Sequence, residues 1–265
     1  MASVSLSFGF RSGFAFCAAL AVSLAMAGPA GAQEAEKKAV KKEGWSTGVN
    51  AGFNLTRGNS ETMMLNGGIL SEYNRGADEL RLEAQGSYGE STVTAEDGSE
   101  EDQTTAQSAK AVADYKRLVD EMNYGYLNAS LLHDDMAGID YRLVAGPGLG
   151  RYFLKNEARA LSAEAGIAYM RQKLSGDTHN TLNLRLAQRC EVALMGSSKL
   201  WETAEYMAAL NDFENYFVNF EIGAEAPMAA GLNLRVVLQD QYNNSPSPGK
   251  ERNNLQLVAG LAFSL

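Results

Sequence analysis

Histidines next to carboxylates are the residues in this sequence best suited to general acid–base chemistry. There are two histidines, His133 and His179, and only His133 is followed by acids, Asp134 and Asp135. A histidine with several carboxylates at an outer rim is what omptin-like proteases use, whereas an outer-membrane phospholipase needs a serine beside its histidine. The stretch DDMAG that follows His133 also has the composition of a polar turn, and we favour that interpretation. We therefore predict that the protein is not an enzyme.

Two further stretches contain residue types that could hold a ligand. The acidic stretch from Glu96 to Asp102 is dense in oxygen donors but lacks the spacing of a calcium-binding loop. The glycines from Gly146 to Gly150 lack the Gly-Lys-Ser/Thr ending and the helix of a phosphate-binding loop. We interpret the first as a solvated loop and the second as wall architecture, and we predict neither a metal nor a cofactor.

The N-terminus has the features of a secretory signal peptide. Arg11 precedes an apolar run from Phe14 to Ala27, and the small residues Ala30 to Ala32 come before a charged stretch. We predict a signal peptide over residues 1–32, a polar periplasmic leader over 33–43 and a β-barrel over 44–265. Cys190 is then the only cysteine left, so no intramolecular disulfide can form, and its apolar surroundings indicate a wall residue.

The predicted mature chain is acidic. Removing the signal leaves 22 basic and 32 acidic side chains, a net charge of −10. An acidic surface repels phosphates, so we predict no nucleic-acid partner.

From Trp45 onward, apolar and polar residues alternate with a period of two. Twelve such segments follow one another between turn signals, and each runs for about ten residues, where strands of soluble sheets usually stop at five or six. About 9 to 11 tilted residues are what a strand needs to cross a bilayer. Connections that are short on one rim and longer on the other complete the pattern of an all-β, antiparallel up-and-down transmembrane barrel of about 12 strands, with both termini in the periplasm.

The two faces of each segment differ in chemistry, and a membrane barrel turns the apolar face to lipid and the polar face to the lumen. Eleven charged residues share the inward phase. The predicted lumen-lining residues are Arg81, Glu83, Lys110, Asp114, Glu164, Arg185, Arg189, Glu191, Glu221, Glu225 and Arg235. Aromatic residues of the outward phase cluster near strand ends, as in interfacial girdles. The predicted girdle residues are Trp45, Tyr73, Tyr115 and Phe263 near the turn rim and Tyr88, Tyr169 and Tyr242 near the loop rim.

Three stretches resemble a known family. GFNLTRGNSETMMLNGGI, ELRLEAQGSYGES and DDMAGIDYRLVAGPGLGRYF are similar to the salt-induced outer-membrane proteins, the family of unknown function 481. The resemblance covers residues 45–265. It implies an outer-membrane β-barrel and brings no catalytic residues with it.

These observations favour a narrow channel or gated pore in the bacterial outer membrane for ions or small polar solutes. One alternative is a plugged barrel with a structural or envelope-stress role, whose mixed lumen charges pair with one another. A second alternative is a soluble periplasmic β-barrel that binds a small ligand. The expected partners are outer-membrane lipid, the barrel assembly machinery during insertion and the transported ions or solutes.

Overall fold

The computed structural model describes residues 43–264 with gaps at 57–60, 95–99, 157, 175, 195–197, 230 and 247–249. The predicted signal peptide and nearly all of the leader lie outside these residues, so the division of the N-terminus stays a prediction. Within the described residues no helix is long and apolar enough to cross a membrane. The strands are β1 (Gly44–Thr56), β2 (Glu61–Arg75), β3 (Asp78–Thr94), β4 (Glu100–Leu118), β5 (Asn123–Asp134), β6 (Ile139–Lys155), β7 (Arg159–Leu174), β8 (Asp177–Ala193), β9 (Lys199–Ala209), β10 (Asp212–Ala229), β11 (Leu232–Asn243) and β12 (Asn253–Ser264).

The twelve strands of the described chain form one closed antiparallel barrel. Each strand pairs with its sequence neighbours, and β12 returns to pair with β1. All twelve alternating segments of the sequence coincide with strands, because alternation of side chains follows from the two-residue repeat of an extended chain. The predicted up-and-down barrel is confirmed. With an even number of strands, both termini lie on the same rim, which is the periplasmic rim of such barrels.

The barrel wall is inverted relative to that of a soluble protein. Large apolar side chains face outward and stay exposed, as for Leu149 at 73%, Leu257 at 66% and Phe53 at 62%. Polar side chains of the opposite phase are buried inside, as for Arg185 at 8% and Gln172 at 5%. Such a surface would aggregate in water and is matched to hydrocarbon. The protein is therefore an outer-membrane β-barrel, and the soluble periplasmic alternative is wrong.

Aromatic side chains lie near both rims of the outer surface. At the periplasmic rim the rings of Trp45 and Tyr73 are 5.1 Å apart, and the Tyr115 hydroxyl donates to Asp78. At the outer rim, contacts between rings join three neighbouring strands. The rings of Tyr206, Tyr216 and Tyr242 lie in a row with centroid separations of 5.6 and 6.0 Å. The remaining predicted girdle residues, Phe263, Tyr88 and Tyr169, are all exposed. Tyr206 and Tyr216 were not among the predicted girdle residues, although they occupy the outward phase of β9 and β10.

Several strands extend well beyond the length that a bilayer requires. β4 has 19 residues and β10 has 18, against about 9 to 11 for a tilted spanning strand. Much of what the sequence indicated as outer loops is therefore strand. The sequence pattern predicted outer loops over residues 93–103 and 211–215. That prediction was wrong for the described residues 93, 94 and 100–103, which belong to β3 and β4, and for 212–215, which belong to β10. Above the lipid both faces of a strand meet water, so the alternation that identifies a strand disappears while the ladder continues.

The periplasmic turns are short, as predicted, and side chains hold them in shape. In the turn between β4 and β5, Asp120 Oδ2 accepts a hydrogen bond from Asn123 Nδ2 at 2.7 Å. Its Oδ1 accepts from the backbone N–H groups of Met122 and Asn123 at 2.8 and 2.7 Å. These hydrogen bonds, with that of the Asn123 side chain first, hold the pKa of Asp120 below its usual value because they favour the ionised carboxylate.

The seam between β1 and β12 is the shortest ladder in the barrel. It joins only Gly48 to Ala51 with Leu261 to Ser264, whereas β1 pairs with β2 along its whole length. Beyond this ladder the two backbones still approach closely at a pair of glycines. A Cβ at Gly52 would lie 2.6 Å from the Ala259 carbonyl oxygen, and one at Gly260 would lie 2.5 Å from that of Ala51. The seam therefore requires glycine at both positions.

We predict that Gly260→Val weakens closure of the barrel by about 1–3 kcal/mol, because the added side chain must push the two seam strands apart. The measurement is the urea midpoint of the refolded protein, together with the mobility shift of unboiled protein on a denaturing gel. Gly48→Val is the matched control, since a Cβ there would be 3.7 Å from the Phe263 carbonyl oxygen, an ordinary contact. Equal behaviour of the two variants would contradict the role of this close approach.

Candidate functional site

The charged residues of the inward phase come together in the lumen. Nine of the eleven predicted lumen residues line one large cavity that reaches the periplasmic rim: Arg81, Glu83, Lys110, Asp114, Glu164, Arg185, Arg189, Glu191 and Glu221. Arg235 lines a second, smaller cavity toward the outer rim. Glu225 lies 3.7 Å from Arg235. The structure thus gives each predicted residue a position inside the barrel.

A polar network centred on Glu164 crosses half of the lumen. Glu164 Oε1 lies 2.6 Å from Lys116 Nζ and accepts a hydrogen bond from the Tyr124 hydroxyl at 3.0 Å, while its Oε2 lies 2.9 Å from Arg185 Nη1. Arg185 Nε reaches Glu205 Oε1 at 2.6 Å. Asn219 Nδ2 donates to the other oxygen of Glu205 at 3.0 Å. Side chains from β4, β5, β7, β8, β9 and β10 are therefore tied together, and every charge in the network has a partner of opposite sign.

Aromatic rings fill the space that glycines of the wall leave free. A Cβ at Gly148 would come within 2.4 Å of the Tyr126 ring, and one at Gly150 within 2.3 Å of the Tyr124 ring. The absence of a side chain lets each tyrosine of β5 lie flat against β6, with Tyr126 also 5.2 Å below the Arg185 guanidinium. The Gly146–Gly150 stretch therefore shapes the wall, and the structure agrees with that interpretation of its glycines.

Toward the outer rim the same side of the lumen is filled by apolar side chains. We call this cluster the apolar plug; its members are Val144, Ala168, Met170, Met207 and Phe217. Arg142 of β6 lies with its guanidinium carbon 4.3 Å from the centre of the Phe217 ring of β10, and its Nε donates to Gln172 Oε1 at 2.8 Å. Because β6 and β10 are not neighbours, the plug joins wall segments across the lumen.

A third group of contacts lies on β9, β10 and β11. Trp201 Nε1 donates to Glu221 Oε1 at 2.6 Å, and Gln239 Nε2 donates to its other oxygen at 2.9 Å. The Arg235 guanidinium lies 4.6 Å from the Trp201 ring. Glu225 is shared between Arg235 at 3.7 Å and Lys199 at 3.6 Å. In this group two cations, Lys199 and Arg235, lie near the Glu225 carboxylate. The Glu221 carboxylate instead accepts hydrogen bonds from two neutral donors.

The rest of the lumen is open and consists of two adjoining cavities. The inner cavity has a volume of about 640 Å³ and includes rim residues such as Asn74 and Asn156. The outer cavity has a volume of about 270 Å³ and includes Gln107, Met136 and Asn254 near the outer rim. The two cavities share five lining residues, which we call the neck: Glu83, Gln85, Lys110, Gln239 and Gln241. The inner cavity is bordered by β2 to β11 and is lined in part by the polar network, whereas the outer cavity follows β1 to β5, β11 and β12, away from the polar network and the apolar plug.

The outer cavity lies beneath a contact between two opposite hairpins. Lys250 Nζ, in the connection between β11 and β12, donates to the Met136 carbonyl oxygen at 2.8 Å, in the turn between β5 and β6. These hairpins are five strand positions apart in the ring, so the contact crosses the mouth. At its other end the connection is held by Asn244, whose Nδ2 donates to the Glu214 carbonyl oxygen at 2.7 Å.

The other chemical candidates lie apart from the lumen. His133 Nδ1 is 2.9 Å from the Asp140 carbonyl oxygen and its Nε2 is 3.3 Å from Asp135 Oδ1, so the imidazole is engaged within its own hairpin. Cys190 occupies the outward phase of β8, opposite Leu161 of β7. Residues 95–99 of the acidic stretch lie outside the described residues. Among the described residues no group of three or more histidine, cysteine, aspartate or glutamate side chains is arranged to hold a metal ion.

Sequence reasoning missed several residues of the lumen. Lys116 and Glu205, both central to the polar network, occupy the inward phase, but Glu205 lies in a segment whose two acids fall on opposite faces. Tyr124, Tyr126 and Trp201 were missed because inward and outward aromatic residues look alike in a sequence. The glycines opposite them, at matching register, were the signal that distinguishes the two.

We predict that Glu164→Gln lowers the free energy of unfolding by about 1–3 kcal/mol, because it leaves Lys116 with no carboxylate and Arg185 with only one. Urea unfolding of the protein refolded into lipid vesicles measures the change. Glu191→Gln is the control: its pair with Arg189 at 3.1 Å is more exposed and lies within one strand, so we expect less than about 1 kcal/mol. A Glu164 variant as stable as this control would contradict a structural role for the network.

Known structures of outer-membrane barrels have similar shapes at low sequence identity. The NanC porin is 9% identical, with a TM-score of 0.49, over 83% of this chain and all of its own. The KdgM porin is 9% identical, with a TM-score of 0.42, over 83% of this chain and 99% of its own. The translocator domain of the autotransporter NalP from Neisseria meningitidis is 15% identical, with a TM-score of 0.40, over 85% of this chain and 90% of its own. With TM-scores below 0.5, none of these likenesses decides strand number or cargo.

No curated protein matches this chain. The family described as "Protein of unknown function, DUF481" matches residues 49–265, which are the whole barrel after the first residues of β1. The closed barrel and this match agree with the resemblance seen in the sequence, and the chain belongs to the DUF481 family.

Proposed function

We propose that the protein is a narrow channel for ions or small polar solutes. The observation that carries the proposal is the pair of adjoining cavities with a shared neck, which together run from the periplasmic rim to the outer rim. Their linings are rich in carboxylates, amides and cationic groups, which replace part of the hydration shell of a passing ion. A lumen of this polarity beside an apolar exterior is what a water-filled path requires.

The filled side of the lumen determines the size of this path. A barrel of this strand number lies between the 8-stranded barrels, whose interior side chains fill, and the 16-stranded porins with wide aqueous channels. Here the apolar plug fills the side formed by β6, β7, β9 and β10 toward the outer rim, and the polar network spans β4 to β10 beside the inner cavity. The free path is therefore eccentric and narrower than the barrel itself, which suits ions and small solutes and excludes bulky ones.

A plugged barrel with a structural role is the second candidate. It is favoured by the apolar plug, in which Arg142 contacts Phe217 across the lumen, and by the Lys250 contact across the outer mouth. In that case the mixed charges would serve to hold the wall. The two candidates differ in one measurable property, the passage of current.

We predict that the refolded mature protein produces discrete conductance steps in a planar lipid bilayer. The expected conductance is small and well below that of a 16-stranded porin, since half of the lumen is occupied. Insertion is verified separately by the gel mobility shift of unboiled protein. Folded, inserted protein that gives no steps would overturn the channel and favour the plugged barrel.

The salt-induced type implied by the resemblance belongs to this proposal as well. A channel for small ions is useful to a cell whose external salt changes, so we expect the amount of protein in the outer membrane to rise at high salt. Quantifying the protein in outer-membrane fractions from low-salt and high-salt cultures measures this. An unchanged amount would contradict salt induction and leave the channel proposal standing.

A further inference from the structure

We propose that Lys110 makes this path prefer small anions over cations. The inference rests on the proposed channel function and adds the class of ion that passes. Selectivity is determined where an ion has least room for its hydration shell, because there fixed charges act at the shortest distance and with the least screening. In this lumen that place is the neck.

The neck contains one cation, Lys110, that forms no ion pair with any residue the structure describes. Three of its five residues are the neutral amides Gln85, Gln239 and Gln241. Of the two charged ones, Glu83 forms an ion pair with Arg81 at 2.6 Å. Among the residues that the structure describes, none places a carboxylate oxygen within 4.0 Å of Lys110 Nζ. The five neck residues are neutral as a set, but once Glu83 is counted with its ion-pair partner Arg81, the charge of Lys110 is left in excess.

Two further cations, Arg81 and Arg235, lie beside the neck. Arg81 and Lys110 line the inner cavity together with Glu83, and Lys110 and Arg235 line the outer cavity together with it. Arg235 lines the outer cavity next to the neck and shares its carboxylate partner, Glu225, with Lys199. Asp134 also lines the outer cavity and Glu225 lies close to Arg235, so the excess positive charge on this side of the path is that of Lys110 at the neck.

The carboxylates of the inner cavity do not reverse this preference. Glu221 accepts hydrogen bonds from the neutral donors Trp201 and Gln239, and Asp114 accepts one from Asn128. Both residues line the inner cavity and not the outer one. The inner cavity, at about 640 Å³, is the roomier of the two. Water screens their fields there more than it screens Lys110 at the neck.

The test is the reversal potential of the channel in a planar bilayer under a potassium chloride gradient. We expect the wild-type protein to pass chloride in preference to potassium. One unit charge at about 6 Å from a hydrated ion in a water-like dielectric changes its partitioning about threefold. Because the change has opposite sign for chloride and potassium, Lys110→Gln should lower the chloride-to-potassium permeability ratio about tenfold, and Lys110→Glu about a hundredfold, enough to reverse the preference.

Arg117→Glu is the matched control. Arg117 lies on the same strand as Lys110 but on the outer face at the periplasmic rim, where its side chain is 69% exposed and pairs with Asp78 at 3.4 Å. The same change of charge there should leave the reversal potential unaltered. Raising the salt concentration on both sides should weaken the wild-type preference, because screening shortens the reach of Lys110.

The outcomes separate the two proposals. Conductance steps with a cation preference in the wild type, or with the same reversal potential in the Lys110→Glu and Arg117→Glu variants, would overturn the role of Lys110 and leave the channel intact. Absence of steps from folded wild-type protein would overturn both. Lys110→Gln removes the charge without adding a carboxylate beside Arg81 and Arg235, so it provides the test even where Lys110→Glu fails to fold.

Discussion

The requirement that every backbone N–H and C=O be paired within the hydrocarbon layer governs the structure. A sheet in lipid meets it only when its first and last strands join, because an open edge would leave a row of groups without partners. The seam between β1 and β12 is thus the element on which the barrel depends, although its ladder is the shortest. Gly52 and Gly260 show how closely the two strands must approach for closure.

Closure also determines where the polar residues lie. Once the apolar face is turned to lipid, the charged and amide side chains of all twelve strands are confined to one small volume. Unpaired charges there would be costly, since the surroundings screen them poorly. On the side of β4 to β10 they are arranged as the alternating chain of Lys116, Glu164, Arg185 and Glu205, which is neutral as a whole.

The lumen is therefore asymmetric. Toward the outer rim one side is filled by the apolar plug, and the other side retains space bordered by amides and by Lys110, while ion pairs and tyrosines packed on glycines line the inner cavity. A rigid filled side supports a wall of long strands while the open side stays hydrated. This division reconciles the two functions considered from the sequence, since the same barrel has features of a plug and of a path.

The sequence by itself determined the strand pattern and the phase of each side chain, because the two-residue repeat of an extended chain is local and needs no knowledge of its neighbours. It therefore identified all twelve segments and predicted an inward phase for charged residues such as Arg81 and Glu225. It underestimated strand length above the membrane, where β4 begins at Glu100, because alternation ends once both faces meet water.

Which inward residues touch was decided only by the tertiary structure. The contact of Arg142 with Phe217, the pairing of Lys116 with Glu164 and the position of Lys110 at the neck depend on the closure and register of the whole ring, which join residues far apart in the chain.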